Sequence, residues 1–374
     1  MTVVQILSAI SSAGLATTLV ILARNAFAAP RLRAGEAPSR FPRLSVLIPA
    51  RDEEANLPAT LEAWARVEYP DWELVVLDDR STDSTPEILR RAAFSNPHLR
   101  ILDGTPPPDG WGGKNWACQK LSESATGELL LFADADVRPA AGALLASVAL
   151  LERENGDALT GFGSQISSDW SARAVVPLVM EVPVAGFLSL REALDRPEPI
   201  LSAAVGQWLL FTRKTYEAIG GHRSVASRVV EDIALGMAVK KDGRKLVPAL
   251  ARDLLEVEMY RGPGEVWNGF AKNLSTLGGG GLPGFLLVQG PGAFLYLLPW
   301  ILPFFGPAGW IPLILLVALR LGVAALWRTN PVRILWHPVG SLLILAIGVR
   351  SALIPLWPVA WKGRIPCKSN ATPS

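Results

Sequence analysis

The sequence predicts an α/β domain with a mostly parallel sheet, set between apolar segments able to cross a membrane. Three observations predict it. Short β-branched runs alternate with helical spacing between residues 44 and 136, the pattern of a parallel sheet. Half of the 374 residues are hydrophobic and 19% are charged, with a mean hydropathy of +0.29; an average soluble chain is roughly 25% charged. The charges are also segregated. All 34 acidic residues lie between Glu36 and Glu265. Arg24, Arg31 and Arg33 precede that block, and only Lys272, Arg320, Arg328, Arg333, Arg350, Lys362, Arg364 and Lys368 follow it. An acidic middle with basic, apolar ends argues against nucleic-acid binding. It fits a domain tethered to a membrane whose headgroups attract the basic flanks.

The first element is Val3 to Ala23, uncharged and as long as a bilayer requires, about 20 residues. Arg24, Arg31, Arg33, Arg40 and Arg43 follow, so the chain beyond is expected on the cytoplasmic side. Ala26-Phe27-Ala28 resembles a cleavage site, but Met1 to Gln5 carry no positive side chain. That favours an uncleaved anchor over a signal peptide.

Leu44-Ser-Val-Leu-Ile48, ending at Pro49, then reads as a buried strand. Asn56 to Val67 has helical spacing. Trp72 to Leu77 is a second strand, ending at Asp78-Asp79. Ser84 to Phe94 is again helical, with Ser84 or Thr82 as its cap. His98 to Leu102 and Leu129 to Phe132 are further strands, the last ending at Asp134-Ala135-Asp136. The polar residues thus gather past the carboxyl ends of the strands, where open α/β sheets bind ligands.

From Asn273 to Leu319 no residue is charged. Two spans fit there, Phe285 to Phe305 and Trp310 to Trp327. A third apolar stretch runs from Ile334 to Trp361, weakened as a helix by Pro338, Pro355 and Pro358, and is expected either to span or to lie re-entrant or interfacial. Trp300, Trp310, Trp327, Trp336, Trp357 and Trp361 fall near the proposed ends, where indole rings favour the membrane boundary. Three late spans would leave Lys362, Arg364 and Lys368 outside, against the positive-inside bias. Gly278 to Gly281 reads as a hinge or tight turn. Arg320 and Arg350 fall inside apolar stretches. They mark functional sites or snorkel to a boundary, and Arg320, close to Trp327, fits snorkelling better. The expected division is an N-terminal anchor over 1–30, a catalytic domain over 40–280 and a C-terminal membrane region over 281–364.

Cys118 and Cys367 form no C-x-x-C pair, and His98, His222 and His337 are scattered, so neither a disulfide framework nor a histidine metal cage is expected. The D-x-D at Asp134 and Asp136 is the strongest local signal. Two carboxylates around a small residue can share a Mg²⁺ or Mn²⁺ ion, hard cations that prefer oxygen and bridge carboxylate to diphosphate. Taken alone, the same triplet also serves as a polar loop after a strand.

The order of the motifs is more specific than any one of them. Ser45-Val-Leu-Ile-Pro-Ala-Arg-Asp-Glu-Glu54, Val75-Val-Leu-Asp-Asp-Arg-Ser-Thr-Asp83, Gly127-Glu-Leu-Leu-Leu-Phe-Ala-Asp-Ala-Asp-Val137, the block Gly206 to His222 and Val230-Glu-Asp-Ile-Ala-Leu235 follow one another. Together, over about residues 43 to 275, they resemble a family 2 glycosyltransferase of the GT-A fold. Within that family, Gly110-Trp-Gly-Gly-Lys-Asn-Trp-Ala117, Trp267-Asn-Gly-Phe-Ala-Lys-Asn273 and Trp361-Lys-Gly-Arg364 look like the carotenoid-associated 4,4′-diaponeurosporenoate glycosyltransferase-like group. Hopanoid-associated and ceramide glucosyltransferases are near neighbours.

The resemblance implies roles. Pro49, Arg51 and Glu53 would lie against the nucleotide, and Asp79, with Asp78 beside it, would accept from the uracil or ribose. Lys114 would sit near the diphosphate. Asp136 would be the principal metal ligand, with Asp134 closer to the ribose. Asp232 would be the general base, and Gln207, Trp208 and Glu231 would face the acceptor. Arg261 and Trp267 stand where processive relatives carry Q-x-x-R-W, but Tyr260-Arg-Gly-Pro-Gly-Glu-Val-Trp267 departs from that pattern and favours a single transfer. The implied activity is inverting transfer of a hexose, glucose first, from a UDP-sugar to a lipid in the inner membrane. A carotenoid or carotenoid acid is the first acceptor; a polyprenyl phosphate, hopanoid or sphingolipid is the alternative, as is a catalytically inert membrane scaffold. The resemblance leaves the oligomeric state open.

Overall fold

The computed structural model describes residues 2–272, 274 and 281–353. Its strands are β1 (Leu44–Ala50), β2 (Trp72–Asp78), β3 (Leu99–Asp103), β4 (Leu129–Ala133), β5 (Val137–Pro139), β6 (Ala158–Phe162), β7 (Ser164–Gln165), β8 (Trp208–Thr212), β9 (Leu246–Leu250) and β10 (Leu255–Val257). Seven of them form the central sheet in the order β3-β2-β1-β4-β8-β6-β9. From β3 to β4 every pairing is parallel. β8 then runs antiparallel to both β4 and β6, and β9 is parallel to β6. β5, β10 and β7 make a small second sheet.

The helices of the domain are α2 (Leu57–Trp64), α3 (Thr85–Ala93), α4 (Gly113–Ser124), α5 (Ala143–Arg153), α6 (Trp170–Val176), α7 (Val182–Gly186), α8 (Leu190–Asp195), α9 (Arg213–Ala218), α10 (Glu231–Lys241) and α11 (Pro263–Ala271), with α1 (Val3–Ala28) before them. After them come α12 (Gly281–Tyr296), α13 (Leu298–Ile301), α14 (Trp310–Trp327) and α15 (His337–Ala352).

The sheet is buried on both faces because its strands are apolar at both parities, the signature of parallel strands under helices. Val46, Ile48, Val76, Leu131, Trp208 and Leu210 pack one way, against Leu61 and Trp64 of α2 and Leu144 and Leu150 of α5. Leu47, Val75, Leu130, Phe132, Leu209 and Phe211 pack the other way, against Leu121 of α4 and Leu235 and Val239 of α10. Every strand foreseen between residues 44 and 133 is present within a residue or two. The foreseen cap of α3 differs: neither Thr82 nor Ser84 takes a helix N–H through its side chain, and Asp83 Oδ1 accepts from Thr85 N at 3.0 Å. A carboxylate two residues before that amide reaches it with less strain than the hydroxyl of the adjacent residue.

Among the described residues, four helical stretches are long and apolar enough to cross a membrane: Val3–Ala28, Gly281–Phe305, Pro307–Trp327 and Pro331–Ala352. The last was expected to be the weakest. Pro338 falls in the first turn of α15, where a missing N–H costs nothing. Pro355, Pro358, Gly278 to Gly280 and the basic residues from Lys362 onward lie outside the described residues.

α1 is locked to the catalytic domain rather than hung from it. Asn25, fully buried, donates from Nδ2 to the carbonyls of Val184 (3.0 Å), Ala185 (3.1 Å) and Leu188 (2.6 Å) and accepts from Leu190 N (2.9 Å). The strand-like chain after α1 bonds to β9 through Leu32 N to Leu250 O (3.0 Å) and Leu250 N to Pro30 O (2.9 Å). Those contacts fix the sheet's orientation relative to α1.

Candidate active site

The site is built from loops at the carboxyl ends of β1, β2 and β4, joined by the start of α4 and α10. The first two loops are stitched together. Asp79 N donates to Ala50 O (2.7 Å), and Arg51 Nη1 donates to Asp79 O (2.7 Å). Asp52 and Arg80 take positive φ, at 49° and 58°, to make the tight turns this requires. Asp78 closes the β2 turn, its Oδ1 accepting from Ser81 N (3.2 Å) and Ser81 Oγ (2.5 Å). Asp78 is thus committed to the backbone, whereas Asp79 is buried and faces the Arg51 and Arg80 guanidiniums. Burial outweighs those cations and pushes the Asp79 carboxyl up to about 6. Gly104 lets β3 approach: a Cβ there would meet Asp78 O at 2.7 Å. Glu53 accepts from Asn56 Nδ2 (2.9 Å), and its N–H donates to Thr85 Oγ1 (2.8 Å). Pro49, inside β1, borders the pocket at the end of β4.

Lys114 organises that pocket. Its Nζ lies 2.8 Å from Asp134 Oδ1 and 2.8 Å from Glu231 Oε1. The contact depends on Asn115, whose Nδ2 donates to the carbonyls of Val225, Ala226 and Arg228. Those bonds clamp the first turn of α4 to the loop before α10, so Lys114 meets Glu231 from a distant part of the chain. Packing at the pocket costs the charge some hydration although the side chain stays open to solvent, and Asp134 and Glu231 outweigh that cost and hold the ammonium well above its ordinary range.

Asp232 is one residue further into α10. Gly206 N donates to its Oδ2 (2.8 Å) and Ile233 N to its Oδ1 (2.8 Å). Gly206 leaves room for this meeting: a Cβ there would stand 3.2 Å from Lys114 Nζ and 3.5 Å from Asp232 Oδ2. Burial and the neighbouring Glu231 push the Asp232 carboxyl up to about 6, against the pull of Lys114. Because α10 begins at Glu231, Asp232 lies inside the helix and does not occupy the position before it.

Asp136 is the least satisfied group of the site. Its Oδ1 is inaccessible and has no hydrogen-bond partner. Burial, Asp134 and Glu53 push its carboxyl up to about 8. Among the described residues no three His, Cys, Asp or Glu side chains are grouped to cage a metal by themselves. A cation held by one or two carboxylates and substrate phosphates needs no such cage.

The other expected residues fall in two groups. Gln207 is buried, its Oε1 accepting from Gln165 Nε2 (3.1 Å), while its own Nε2 has no hydrogen-bond partner among the described residues. Trp208 does not face an acceptor. It is fully buried, stacks on Trp64 at 5.6 Å and donates to Ser147 Oγ at 3.0 Å, on the α2–α5 side of the sheet. Strand alternation explains the correction, because Gln207 and Leu209 share one face of β8 and Trp208 takes the opposite one. Arg261 is turned to Glu258 (3.0 Å), and Trp267 packs with Tyr260, Phe270 and Trp336.

Sequence reasoning passed over His222 and Cys118, which also border the pocket. His222 Nδ1 is 2.8 Å from the Tyr216 hydroxyl, and burial with the nearby Lys114 charge lowers the imidazole to about 3. It is a neutral wall of the pocket. A lone histidine at the end of the Gly206–His222 stretch carries no local spacing that marks that placement.

Residues 45–212 match the glycosyl transferase family 2 model. The chain is 35% identical over 144 residues to a beta-monoglucosyldiacylglycerol synthase of Nostoc sp., a match covering 38% of this chain and 30% of that protein. It is 28% identical over 247 residues to 4,4′-diaponeurosporenoate glycosyltransferase of Staphylococcus aureus, covering 64% of this chain and 63% of that protein. The matches therefore span under two thirds of either relative. A mannosyltransferase from Pyrobaculum calidifontis, solved with GDP-Man and Mn²⁺, superposes with a TM-score of 0.56 at 22% identity, over 95% of this chain and 99% of that one. Over residues 45–212 the chain is thus similar to the family 2 glycosyltransferases, and its fold is the GT-A fold of that mannosyltransferase.

Proposed function

We propose that the protein is an inverting, metal-dependent glucosyltransferase that moves glucose from UDP-glucose to a lipid dissolved in the inner membrane. The carrying observation is the convergence of Lys114, Asp134, Asp136, Glu231 and Asp232 at the end of β4, beside a set of membrane-length helices. The donor's nucleoside would lie along Pro49, Arg51, Glu53 and Asp79. Asp136 and Asp134 fit a Mg²⁺ or Mn²⁺ ion, since a buried carboxylate oxygen without a hydrogen-bond partner is a hard donor awaiting a cation. The bound ion would supply positive charge beside the departing diphosphate. Lys114 adds a fixed ammonium there, and Glu231 holds that ammonium in place.

Asp232 is the base. A hydroxyl acceptor attacks C1 of the sugar from the face opposite UDP; the O–C1 bond forms, the C1–O bond to UDP breaks, and the proton passes to Asp232. Both Asp232 oxygens already hold a backbone N–H, which orients the carboxylate. A carotenoid hydroxyl, or a carotenoid acid whose ionised carboxylate would attack C1 without giving up a proton, is the first acceptor, in line with the likeness to the diaponeurosporenoate enzymes over 64% of the chain. The 35% identity to monoglucosyldiacylglycerol synthase favours a second reading, in which the acceptor is the hydroxyl of diacylglycerol. The catalytic domain faces the cytoplasm in this reading, because arginines follow α1. Mass spectrometry of membrane lipids from cells with and without the protein tests the reading. A glucosylated carotenoid that vanishes with the protein supports it, a glucosylated diacylglycerol selects the second acceptor, and an unchanged glycolipid profile refutes both.

A further inference from the structure

A second buried polar cluster lies away from the transfer site, where α12, α14 and α15 meet the Pro177–Glu181 turn. Arg320, in the middle of α14, is only 6% exposed, and its Nε and Nη1 have no hydrogen-bond partner among the described residues. It does not snorkel to the boundary as its sequence position suggested. On the same helix Trp327 Nε1 donates to the carbonyl of Glu181 (3.3 Å), which ties α14 to the Pro177–Glu181 turn. The charged groups acting on Arg320 are Glu181 and Arg333, with the Tyr296 hydroxyl beside them. Glu181 is 2% exposed and lies 3.9 Å from Arg333 Nη1, beyond hydrogen-bond reach.

Three further polar groups converge on the same place. The Tyr296 hydroxyl, Trp300 Nε1 and His337 Nδ1 are all buried without partners. The rings of Tyr296 and Trp300 stand 5.6 Å and 6.1 Å from that of His337. Two guanidiniums thus face one carboxylate, with several donors unspent. A buried charge without a partner is strongly disfavoured, and ionisable groups at membrane depth mark functional sites. Water could satisfy the donors but not cancel the surplus positive charge.

We propose that this cluster binds the phosphate of an anionic phospholipid from the leaflet next to the catalytic domain. Guanidiniums match phosphate geometry, and the indole and phenol add neutral donors. The depth agrees. Arg320 is seven residues before Trp327, about 10 Å along α14 from the end that meets the catalytic domain. At that end Arg328 pairs with Asp253 (2.7 Å), which fixes the side of the membrane. Exposed Ile311 and Ile314 on the same helix offer apolar surface to acyl chains. The bound lipid would neutralise the junction that holds α14 and α15 against the turn carrying Glu181, and so steady the membrane helices under the transfer site. The proposal does not depend on which lipid accepts the sugar.

The test is native mass spectrometry of the full-length protein released from nanodiscs containing phosphatidylglycerol and phosphatidylcholine. The wild type is expected to retain one phosphatidylglycerol. Arg320→Met should weaken retention at least ~10-fold, the equivalent of one charge-assisted hydrogen bond. Arg333→Met, at the more exposed edge, should weaken it in the same direction and serves if the first variant does not fold. Glu181→Gln, which removes the competing carboxylate, should retain the lipid at least as well as the wild type. Equal retention by wild type and both arginine variants, or equal retention of phosphatidylcholine, overturns the proposal. A thermal shift with inorganic phosphate as large as that with phosphatidylglycerol overturns the lipid assignment, because the site would then be open to a soluble ion.

Discussion

The end of β4 and the middle of α14 both gather charged side chains, and they are unbalanced in opposite directions. At β4, one ammonium, Lys114, is shared by Asp134 and Glu231, and Asp136 and Asp232 remain beyond it. At α14, two guanidiniums share one carboxylate, Glu181. A fold tolerates a buried surplus of charge when a ligand of opposite sign completes it. The first region therefore wants a cation and the second an anion. Where negative charge is crowded, at the end of β4, burial and the neighbouring carboxylates raise Asp136 to about 8 and Asp232 to about 6.

The largest effect expected from breaking this contrast is at Asp136. Asp136→Ala removes the unpartnered oxygen and should reduce sugar transfer to background in a purified assay with UDP-glucose. Turnover within a few-fold of the wild type would end the metal assignment. Asp232→Asn comes next. The amide keeps an oxygen for Gly206 N or Ile233 N but cannot take a proton. Transfer to a hydroxyl acceptor should fall at least ~100-fold with UDP binding unchanged. A folded Asn variant working nearly as well as its parent would leave Asp232 a helix-start carboxylate and favour an acceptor that arrives already ionised.

The pH profile follows with its sign fixed. A base must be deprotonated to act, and the Asp232 carboxyl is raised to about 6. The turnover rate should be level above that pH and fall about tenfold per unit below it. A fall that begins only near pH 4 would mean that the carboxyl is not raised in the working enzyme.

How much of this could be read from the chain depends on where each residue's partners lie. β1, β2 and β4 were legible because parallel strands are apolar on both faces, and the D-x-D marked the end of β4. The partners of Lys114 were not, because Asn115 brings Glu231 to it across the fold, and no local spacing records that meeting. Trp208 was misplaced because adjacency to Gln207 in sequence means the opposite face in a strand. Arg320 was misjudged because its distance from Trp327 along the helix says nothing of the Pro177–Glu181 turn that covers it.

Trp208→Phe sharpens that correction with the smallest expected effect. It removes the bond to Ser147 and part of the stack on Trp64, costing about 1–2 kcal/mol of stability. The Michaelis constant for the lipid acceptor should not change. A raised constant at unchanged stability would return Trp208 to the acceptor side.

The most direct test of the β4 site is calorimetric binding of UDP to the full-length protein in nanodiscs, with and without Mn²⁺. The crowding of Asp134 and Asp136 predicts UDP binding at least ~10-fold tighter with the ion, a gain of about 1.4 kcal/mol. Asp136→Asn should abolish that gain while leaving metal-free binding intact. Equal affinity for UDP with and without the ion in the wild type would contradict the account.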